Sequence, residues 1–248
     1  MGKTRWIKWG LLGAAACLLA AAAVHTPVTI APGPAPSPAP ETPPGPLAGI
    51  TVCVDPGHGG YDGGAYGASR TAEKELNLDV ARQLADCLQA RGAQVILTRE
   101  EDTALAEPGE NRKRRDLQAR VDAAAEADLF LSIHMNEYRS AASSGPQVFY
   151  RKGADQSRLL AGLMQERLNA DLAPARPRQA NTGEYYLLEH LDIPAVLVEC
   201  GFLSNPEEEK RLLTPAYRRQ VAEAICGGVE EFVRSEERNL SGAWQKAE

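Results

Sequence analysis

The sequence has no excess of positive charge. Its 27 Lys and Arg residues are outnumbered by 33 Asp and Glu residues, which gives a formal net charge of -6 at pH 7. A protein that binds nucleic acid needs a basic face that displaces counterions from the phosphate backbone. We therefore expect no nucleic-acid partner, and no general electrostatic attraction to an anionic membrane surface.

Cysteine pairs with metal-ligand spacing are also absent. None of the 5 cysteines forms a Cys-x-x-Cys pair, so the sequence argues against a cysteine zinc site. The last four lie within apolar stretches, where free buried cysteines behave as small hydrophobic side chains. The five are Cys17, Cys53, Cys87, Cys200 and Cys226.

The start of the chain has the layout of a secretory signal. Lys3, Arg5 and Lys8 precede an uncharged apolar run from Trp9 to Val24, and a positive segment before a short apolar run is typical of such signals. The run of about sixteen residues is close to the length that crosses a bilayer, so a retained anchor is the alternative. We predict a signal peptide or N-terminal membrane anchor at residues 1–25, with the rest of the chain outside the cytoplasm.

A Pro-rich segment follows the leader at residues 26–46 and includes the stretch PGPAPSPAPETPPGP. This composition cannot bury apolar surface and favours extended polyproline geometry, which predicts a semi-rigid spacer. The apolar content of 44% is sufficient for the core of one mid-sized domain. We place that domain at residues 47–235 and a polar C-terminal tail at residues 236–248. The predicted location is the extracytoplasmic face of the membrane or the cell wall, where a disulfide is permitted.

Short apolar runs alternate with longer helical patterns from residue 47 onward. Ile50–Val54 is a predicted strand, and Glu73–Gln89 is a predicted helix with apolar residues at spacings of four. This alternation predicts a three-layer α/β domain, in which helices cover both faces of a twisted, mostly parallel sheet. Further strands are predicted at residues 93–98, 129–133, 148–150 and 195–198, and further helices at residues 114–126, 157–172 and 221–233.

Three of the predicted strands run directly into residues that can bind a metal or transfer a proton. His58, His134 and Glu199 each follow or end such a strand. Glu73 opens the helix after the first strand, behind the Gly-rich loop GGYDGGAYG. If the strands are parallel neighbours, these side chains converge at the carboxyl edge of the sheet. Two imidazoles and one carboxylate with an open fourth position form a catalytic zinc site, and a second carboxylate would act as general base.

Five segments carry a resemblance to a known family. They are DPGHGGYDGGAYG, EKELNLDVARQL, VILTRE, ADLFLSIHMNE and PAVLVECGFLSNPEE. In this order and spacing they resemble the zinc-dependent N-acetylmuramoyl-L-alanine amidases, a family often called amidase type 3. The resemblance covers the domain from Gly49 to Val233.

The resemblance implies a role for each candidate residue. His58, Glu73 and His134 match the zinc ligands of the family, and Glu199 matches its catalytic glutamate. Glu75 competes with Glu73, but only Glu73 matches the position of the family ligand, and Glu75 would point from another side of the helix. The implied reaction is zinc-assisted hydrolysis of the amide between N-acetylmuramic acid and L-alanine in peptidoglycan.

Within the family, the layout resembles the spore-cortex amidases of endospore formers. The N-terminal apolar segment, the single domain and the stretch DTALAEPGENRKRRDLQARV agree with them. That resemblance implies formation of muramic-δ-lactam in the spore cortex and a membrane-associated lipoprotein as activator. The alternatives are a general cell-wall autolysin, a zinc peptidase that cuts cross-links, and a non-catalytic wall-binding domain. The last would have lost at least one of the four site residues, and all four are present.

Four other features have plainer interpretations. We expect His190 at the surface and an ion pair between Arg99 and Asp102. The basic run at residues 112–115 opens a helix and is expected to form a solvated face. Cys200 beside Glu199 suggests a thiol nucleophile, but the chain has no spare histidine in a papain-like order to activate it.

Overall fold

A computed structural model describes the backbone of residues 45–245 and the side chains of residues 45–236. The predicted leader, nearly all of the predicted spacer and the last residues of the predicted tail lie outside this range. Their boundaries stay predictions. Among the helices that the structure describes, none combines the length and the apolar character needed to cross a membrane.

Within residues 45–245, one six-stranded sheet forms the centre of the domain. Its strands are β1 (Thr51–Pro56), β2 (Gln94–Leu97), β3 (Leu129–Asn136), β4 (Gln147–Tyr150), β5 (Asn181–Thr182) and β6 (Ala195–Phe202). They lie in the order β2-β1-β3-β6-β4-β5. The first four in this order are parallel, whereas β4 runs antiparallel to β6 and parallel to β5. The sheet is therefore mostly parallel, with a reversed pair at one edge.

Six helices surround the sheet in the described part of the chain. They are α1 (Glu73–Ala90), α2 (Arg112–Ala123), α3 (Asp155–Leu172), α4 (Tyr186–Glu189), α5 (Pro206–Leu212) and α6 (Pro215–Gln245). The last helix begins before its predicted start and continues beyond its predicted end. The short helices α4 and α5 and the two-residue strand β5 were not predicted, because elements of this length show no periodicity.

The sheet separates two apolar cores. Along β1, Val52 and Val54 face the larger core, whereas Cys53 between them faces the smaller one, because successive side chains of a strand point to opposite faces. Helices α1, α3 and α6 cover the larger core, and α2 and α4 cover the smaller one. The predicted three-layer α/β architecture is confirmed.

Candidate metal centre

The four candidate residues meet at the carboxyl edge of the sheet. His58 follows the end of β1, His134 lies in β3, Glu199 lies in β6, and Glu73 is the first residue of α1. Because β1, β3 and β6 are parallel neighbours, their carboxyl ends open on the same edge. The first turn of a helix also favours a negative charge, which suits Glu73.

The carboxylate of Glu73 contacts both imidazole rings, with one oxygen near each ring. Its Oε2 is 3.2 Å from Nε2 of His58, and its Oε1 is 3.0 Å from Nδ1 of His134. One ligand atom from each of the three residues lies within 4.8 Å of the other two. The ring centroids are 5.0 Å apart with an interplanar angle of 77°, so the rings meet edge to face. Glu75, the alternative to Glu73, is exposed on the helix.

The spacing of these three side chains fits a zinc ion. Zinc bonds to nitrogen and oxygen ligands are about 2.0 to 2.2 Å long, so ligand atoms of a tetrahedral site are roughly 3.3 Å apart. The separations of 3.0 and 3.2 Å between Glu73 and the two rings are close to that value but involve different oxygens of Glu73, and the three ligand atoms as a set lie within 4.8 Å of one another. The donor set of two imidazoles and one carboxylate is also that of catalytic zinc sites.

Glycine is required at two positions around the cluster. A Cβ atom on Gly57 would lie 2.2 Å from Cε1 of His134. A Cβ atom on Gly64, where φ is +68°, would lie 2.4 Å from Oε2 of Glu73 and 2.8 Å from Cδ2 of His58. The glycines in DPGHGG and GGYDGG thus let the backbone pack directly against the ligand side chains.

Glu73 is held in its carboxylate form. Its Oε1 accepts hydrogen bonds from the backbone N–H of Met135 (3.1 Å) and from Nδ2 of Asn77 (3.2 Å), and its Oε2 accepts one from the backbone N–H of Ala65 (2.8 Å). Burial alone would raise its pKa, but hydrogen bonds and charges from the two imidazoles hold the pKa of Glu73 well below its ordinary value. A metal requires this deprotonated form.

The carboxyl group of Glu199 differs from that of Glu73, because its pKa is raised rather than lowered. Glu199 is the register partner of His134, and its Oε2 is buried without a hydrogen-bond partner in the described part of the chain. Burial raises the pKa of Glu199 to about 7; the imidazoles of His134 and His58 oppose this rise and the carboxylate of Glu73 adds to it. A carboxyl group near this pKa can exchange a proton at neutral pH.

Comparison with known proteins identifies the family. Residues 52–231 match a family described as N-acetylmuramoyl-L-alanine amidase. This span includes all four residues of the cluster. The chain belongs to this family. It is a peptidoglycan amidase, as the five sequence motifs predicted.

Individual relatives each match about three quarters of this amidase. The germination-specific N-acetylmuramoyl-L-alanine amidase of Bacillus subtilis is 40% identical over 190 residues, which are 74% of this chain and 80% of that protein. The N-acetylmuramoyl-L-alanine amidase LytC of the same organism is 37% identical over 76% of this chain, but over only 36% of its own length. The CwlD amidase from Clostridioides difficile, solved in complex with the GerS lipoprotein, is 34% identical with a TM-score of 0.72, and the match covers 75% of this chain and 99% of that one.

Asp62 contacts the candidate metal centre, and the sequence interpretation missed this contact. Its Oδ1 is 3.0 Å from Nδ1 of His58, on the side of the ring away from Glu73, and its other oxygen pairs with Lys113. Although burial opposes the change, the ammonium group of Lys113 and the nearby imidazole of His58 lower the pKa of Asp62 to about 2. A carboxylate behind a metal-binding histidine fixes the tautomer and orientation of the ring.

A buried ion pair anchors the loop that carries His58. Asp55 at the end of β1 accepts hydrogen bonds from Arg120 (2.6 Å), Thr98 (2.6 Å) and Ser132 (2.8 Å). Arg120 also donates to the backbone carbonyl of His58 at 2.6 Å. His58 has a φ of 61°, which is unusual for a residue other than glycine. These contacts hold that conformation in place.

The expected ion pair between Arg99 and Asp102 is wrong. Arg99 is buried and donates to the backbone carbonyls of Pro56 and Gly57, each at 2.9 Å. Asp102 instead pairs with Lys74 at 2.6 Å. The hydrogen bonds of Arg99 therefore hold the backbone just before His58 in place.

The remaining expectations have mixed outcomes. His190 is exposed, as expected, and stacks on Tyr186. The basic run at residues 112–115 does not only face solvent, because Lys113 forms an ion pair with Asp62 next to His58. Cys200 is fully buried, and burial raises the pKa of its thiol, which disfavours a nucleophilic thiolate.

Proposed function

We propose that this amidase hydrolyses the bond between N-acetylmuramic acid and L-alanine with zinc (Zn²⁺) held by His58, Glu73 and His134. The observation that carries the proposal is the convergence of these three side chains within 4.8 Å, beside the buried carboxyl group of Glu199. When bound, zinc supplies a Lewis acid that activates water and polarises the amide carbonyl.

We assign both proton transfers of the reaction to Glu199. As a carboxylate it would accept a proton from water at Oε2, the oxygen without a hydrogen-bond partner among the described residues. It would then deliver this proton to the nitrogen of the departing L-alanine amine. A pKa of about 7 allows one group to take and release a proton near neutral pH. The products would be a glycan with a free lactyl carboxylate and a free stem peptide.

Exposed aromatic side chains lie in the chain segments that adjoin the site residues. Three tyrosines are exposed by half or more, with Tyr61 at 51%, Tyr66 at 58% and Tyr138 at 61%. Tyr61 and Tyr66 lie in the loop between His58 and Glu73, and Tyr138 follows β3. Exposed aromatic side chains beside a polar site are typical of binding grooves.

Mass spectrometry of digested peptidoglycan tests the reaction. We expect a new free L-alanine amine with intact cross-links, and we expect a chelator to abolish turnover. A cut between two residues of the peptide would support the zinc peptidase instead. Turnover that a chelator leaves unchanged would contradict zinc dependence. No turnover under any metal condition would support the non-catalytic wall-binding domain.

A Glu199→Gln variant tests the assignment of roles. We expect it to bind zinc with the wild-type stoichiometry and to lose roughly 10²- to 10⁴-fold in turnover, the usual contribution of a general acid–base group. A Glu75→Gln variant is the matched control, since Glu75 is an exposed glutamate on the same helix as Glu73. Full activity of Glu199→Gln would contradict the role of Glu199.

We further propose a role in spore-cortex maturation, where removal of stem peptides permits muramic-δ-lactam formation. The similarity to the germination-specific amidase of Bacillus subtilis supports it. Expression of the full chain in an endospore former that lacks its own cortex amidase should restore muramic-δ-lactam, whereas Glu199→Gln should not. General wall lysis without the lactam would support the autolysin alternative.

A membrane-associated lipoprotein is the proposed partner, and the extracytoplasmic face of the membrane or the cell wall, including the spore-cortex space, is the proposed location. The complex of the CwlD amidase with the GerS lipoprotein supports the partner. The proposal predicts that the purified full chain binds zinc weakly or turns over slowly on its own. Full metal loading and full activity without any partner would contradict it.

A further inference from the structure

The position of Glu73 depends on the loop that separates it from His58. We call residues 59–72 the ligand loop. The backbone N–H of Glu73 donates to the carbonyl of Ala65 at 2.9 Å, and the N–H of Ala65 donates to Oε2 of Glu73 at 2.8 Å. This oxygen is the one that lies 3.2 Å from His58. The backbone of the ligand loop therefore sets where one oxygen of the candidate metal centre lies.

The second half of the ligand loop contains a strained turn. The backbone N–H of Arg70 donates to the carbonyl of Gly67 at 3.1 Å, which closes a turn over residues 67–70. Arg70 has a φ of 63°, which is unusual for a residue other than glycine. Such a backbone conformation persists only where surrounding contacts hold it.

Glu209 on α5 supplies such a contact from outside the loop. It is buried, and its Oε1 accepts a hydrogen bond from the backbone N–H of Ser69 at 2.8 Å. A Cβ atom on Gly67 would lie 2.2 Å from the same oxygen, so the backbone of the turn packs directly against the carboxylate. A hydrogen bond from a backbone N–H to a carboxylate is roughly twice as strong as one between neutral groups.

The helix that carries Glu209 is anchored to the strand that carries Glu199. Glu208, the preceding residue of α5, accepts hydrogen bonds from the backbone N–H of Phe202 at the end of β6 (2.9 Å) and from that of Gly145 (2.7 Å). The two consecutive glutamates thus bind different segments. Glu208 holds α5 to the end of β6, and Glu209 holds the ligand loop to α5.

We propose that Glu209 is a positioning residue for the candidate metal centre. It holds the turn at residues 67–70 and thereby, through Ala65, the carboxylate of Glu73. The inference rests on the proposed zinc site, and it assigns Glu209 no contact with the reacting atoms. Removal of the Glu209 carboxylate should free the turn and leave the domain folded, because Glu208 and the buried Leu212 still fix α5.

Limited proteolysis of the zinc-free full chain tests the first step. Trypsin cuts after Arg70, which is exposed, at a rate that follows the population of the opened loop. Loss of a hydrogen bond to a charged acceptor should raise this population about 10-fold, so Glu209→Ala should be cut there about 10-fold faster than the wild type. Glu209→Gln keeps an oxygen for the Ser69 N–H, but a neutral acceptor bonds about half as strongly, which predicts an increase of about 3-fold. Cleavage after Lys152, in the exposed turn before α3, is the internal reference and should not change.

Zinc affinity, measured by competition with a chelating dye, tests the second step. Loss of a group that supports a metal ligand typically weakens binding by about 10-fold or more. We expect a loss of about 10-fold in Glu209→Ala and of about 3-fold in Glu209→Gln. Glu207→Gln is the matched control, because Glu207 is an exposed glutamate of the same helix and pairs with Lys210. It should equal the wild type in both measurements.

Three results would overturn the positioning role of Glu209. They are unchanged cleavage after Arg70 in Glu209→Ala, an equal acceleration after Arg70 and Lys152, which indicates a general loss of stability, and wild-type zinc affinity in a variant whose loop opens faster. Each of them leaves the proposed amidase reaction untouched, since neither measurement uses turnover. Failure of the wild type to bind zinc would instead refute the metal centre and this inference together, so the two failures are distinguishable.

Discussion

His134 and Glu199 are register partners on the neighbouring parallel strands β3 and β6. Residues in register point to the same face of a sheet, so an imidazole of the ligand cluster and a carboxyl group outside it lie side by side. The register shifts immediately afterwards, between His134 and Asn136, and such irregularities commonly redirect side chains at functional sites. Two carboxyl groups with opposite pKa shifts, Glu73 and Glu199, thereby share one site.

We predict that Glu199 destabilises the metal-free amidase at neutral pH. Its pKa is raised from 4.5 to about 7, so the unfolded chain loses this proton at a lower pH than the folded chain does. Stability therefore falls as pH rises from about 4.5 to 7. With a chelator present, Glu199→Gln should be more stable than the wild type by about 1 to 3 kcal/mol above pH 7.

Urea unfolding across this pH range measures the effect. The stability difference between Glu199→Gln and the wild type should grow between about pH 4.5 and pH 7 and stay constant above it. The exposed Glu75→Gln change should give no such trend. A difference that does not vary with pH would contradict the raised pKa.

We predict that Asp62 controls metal affinity through His58. Asp62→Asn keeps the shape of the side chain but removes the charge 3.0 Å from Nδ1 of His58. Loss of such a supporting carboxylate typically weakens metal binding by about 10- to 100-fold. Competition with a chelating dye measures the affinity, and Asp122→Asn on the exposed face of α2 is the control. An unchanged affinity in Asp62→Asn would show that the contact does not position the ring.

Much of the fold follows from local sequence patterns. The apolar runs at Ile50–Val54 and residues 129–133 and 195–198 became β1, β3 and β6 because continuous apolar runs of this length suit a sheet covered on both faces. The reversed strand β4 was not distinguished from a parallel one, because strand direction depends on the connection rather than on the strand residues. The start of α6 at Pro215 was missed because the predicted start rested on the later apolar positions.

The site was predictable to the extent that it depends on strand ends. His58, His134 and Glu199 each follow or end a strand, and this alone predicts one shared edge. Glu73 needed the family resemblance, since Glu75 had equal standing by composition. The contact between Asp62 and His58 was missed because a spacing of four residues in a loop has no fixed geometry, and Arg99 was missed because its partners are backbone carbonyls.

We predict that Gly57→Ala disrupts the metal centre. The added Cβ would lie 2.2 Å from the His134 ring, so the ring or the loop must move. The variant should lose most of its zinc affinity and activity. Gly162→Ala is the matched control, because a Cβ on this glycine in α3 meets nothing within 4 Å; it should be stabilised by about 0.5 to 1 kcal/mol. Metal analysis and thermal unfolding of both variants check the prediction, which normal zinc binding by Gly57→Ala would refute.

Finally, we predict that Asp55 makes the fold sensitive to acid. Burial opposes ionisation, but Arg120 and the hydroxyl groups of Thr98 and Ser132 hold the pKa of Asp55 below its ordinary 3.8. The unfolded chain therefore takes up this proton at a higher pH than the folded chain. The resulting stabilisation is fully present above about pH 4 and is lost as pH falls through the lower folded pKa.

The variant Asp55→Asn separates this charge from the shape of the side chain. It leaves Arg120 with Asp116 as its remaining ionic partner in the described structure, so we expect a loss of about 3 kcal/mol at neutral pH. The difference in unfolding free energy between Asp55→Asn and the wild type should narrow as pH falls below about 4, because the wild type then loses the same charge. Asp86→Asn, on the exposed face of α1, should change stability by less than about 0.5 kcal/mol at every pH. If this difference in unfolding free energy stays constant down to acid pH, Asp55 acts through its hydrogen bonds alone. The conformation of the His58 loop would then depend on the shape of the Asp55 side chain rather than on its charge.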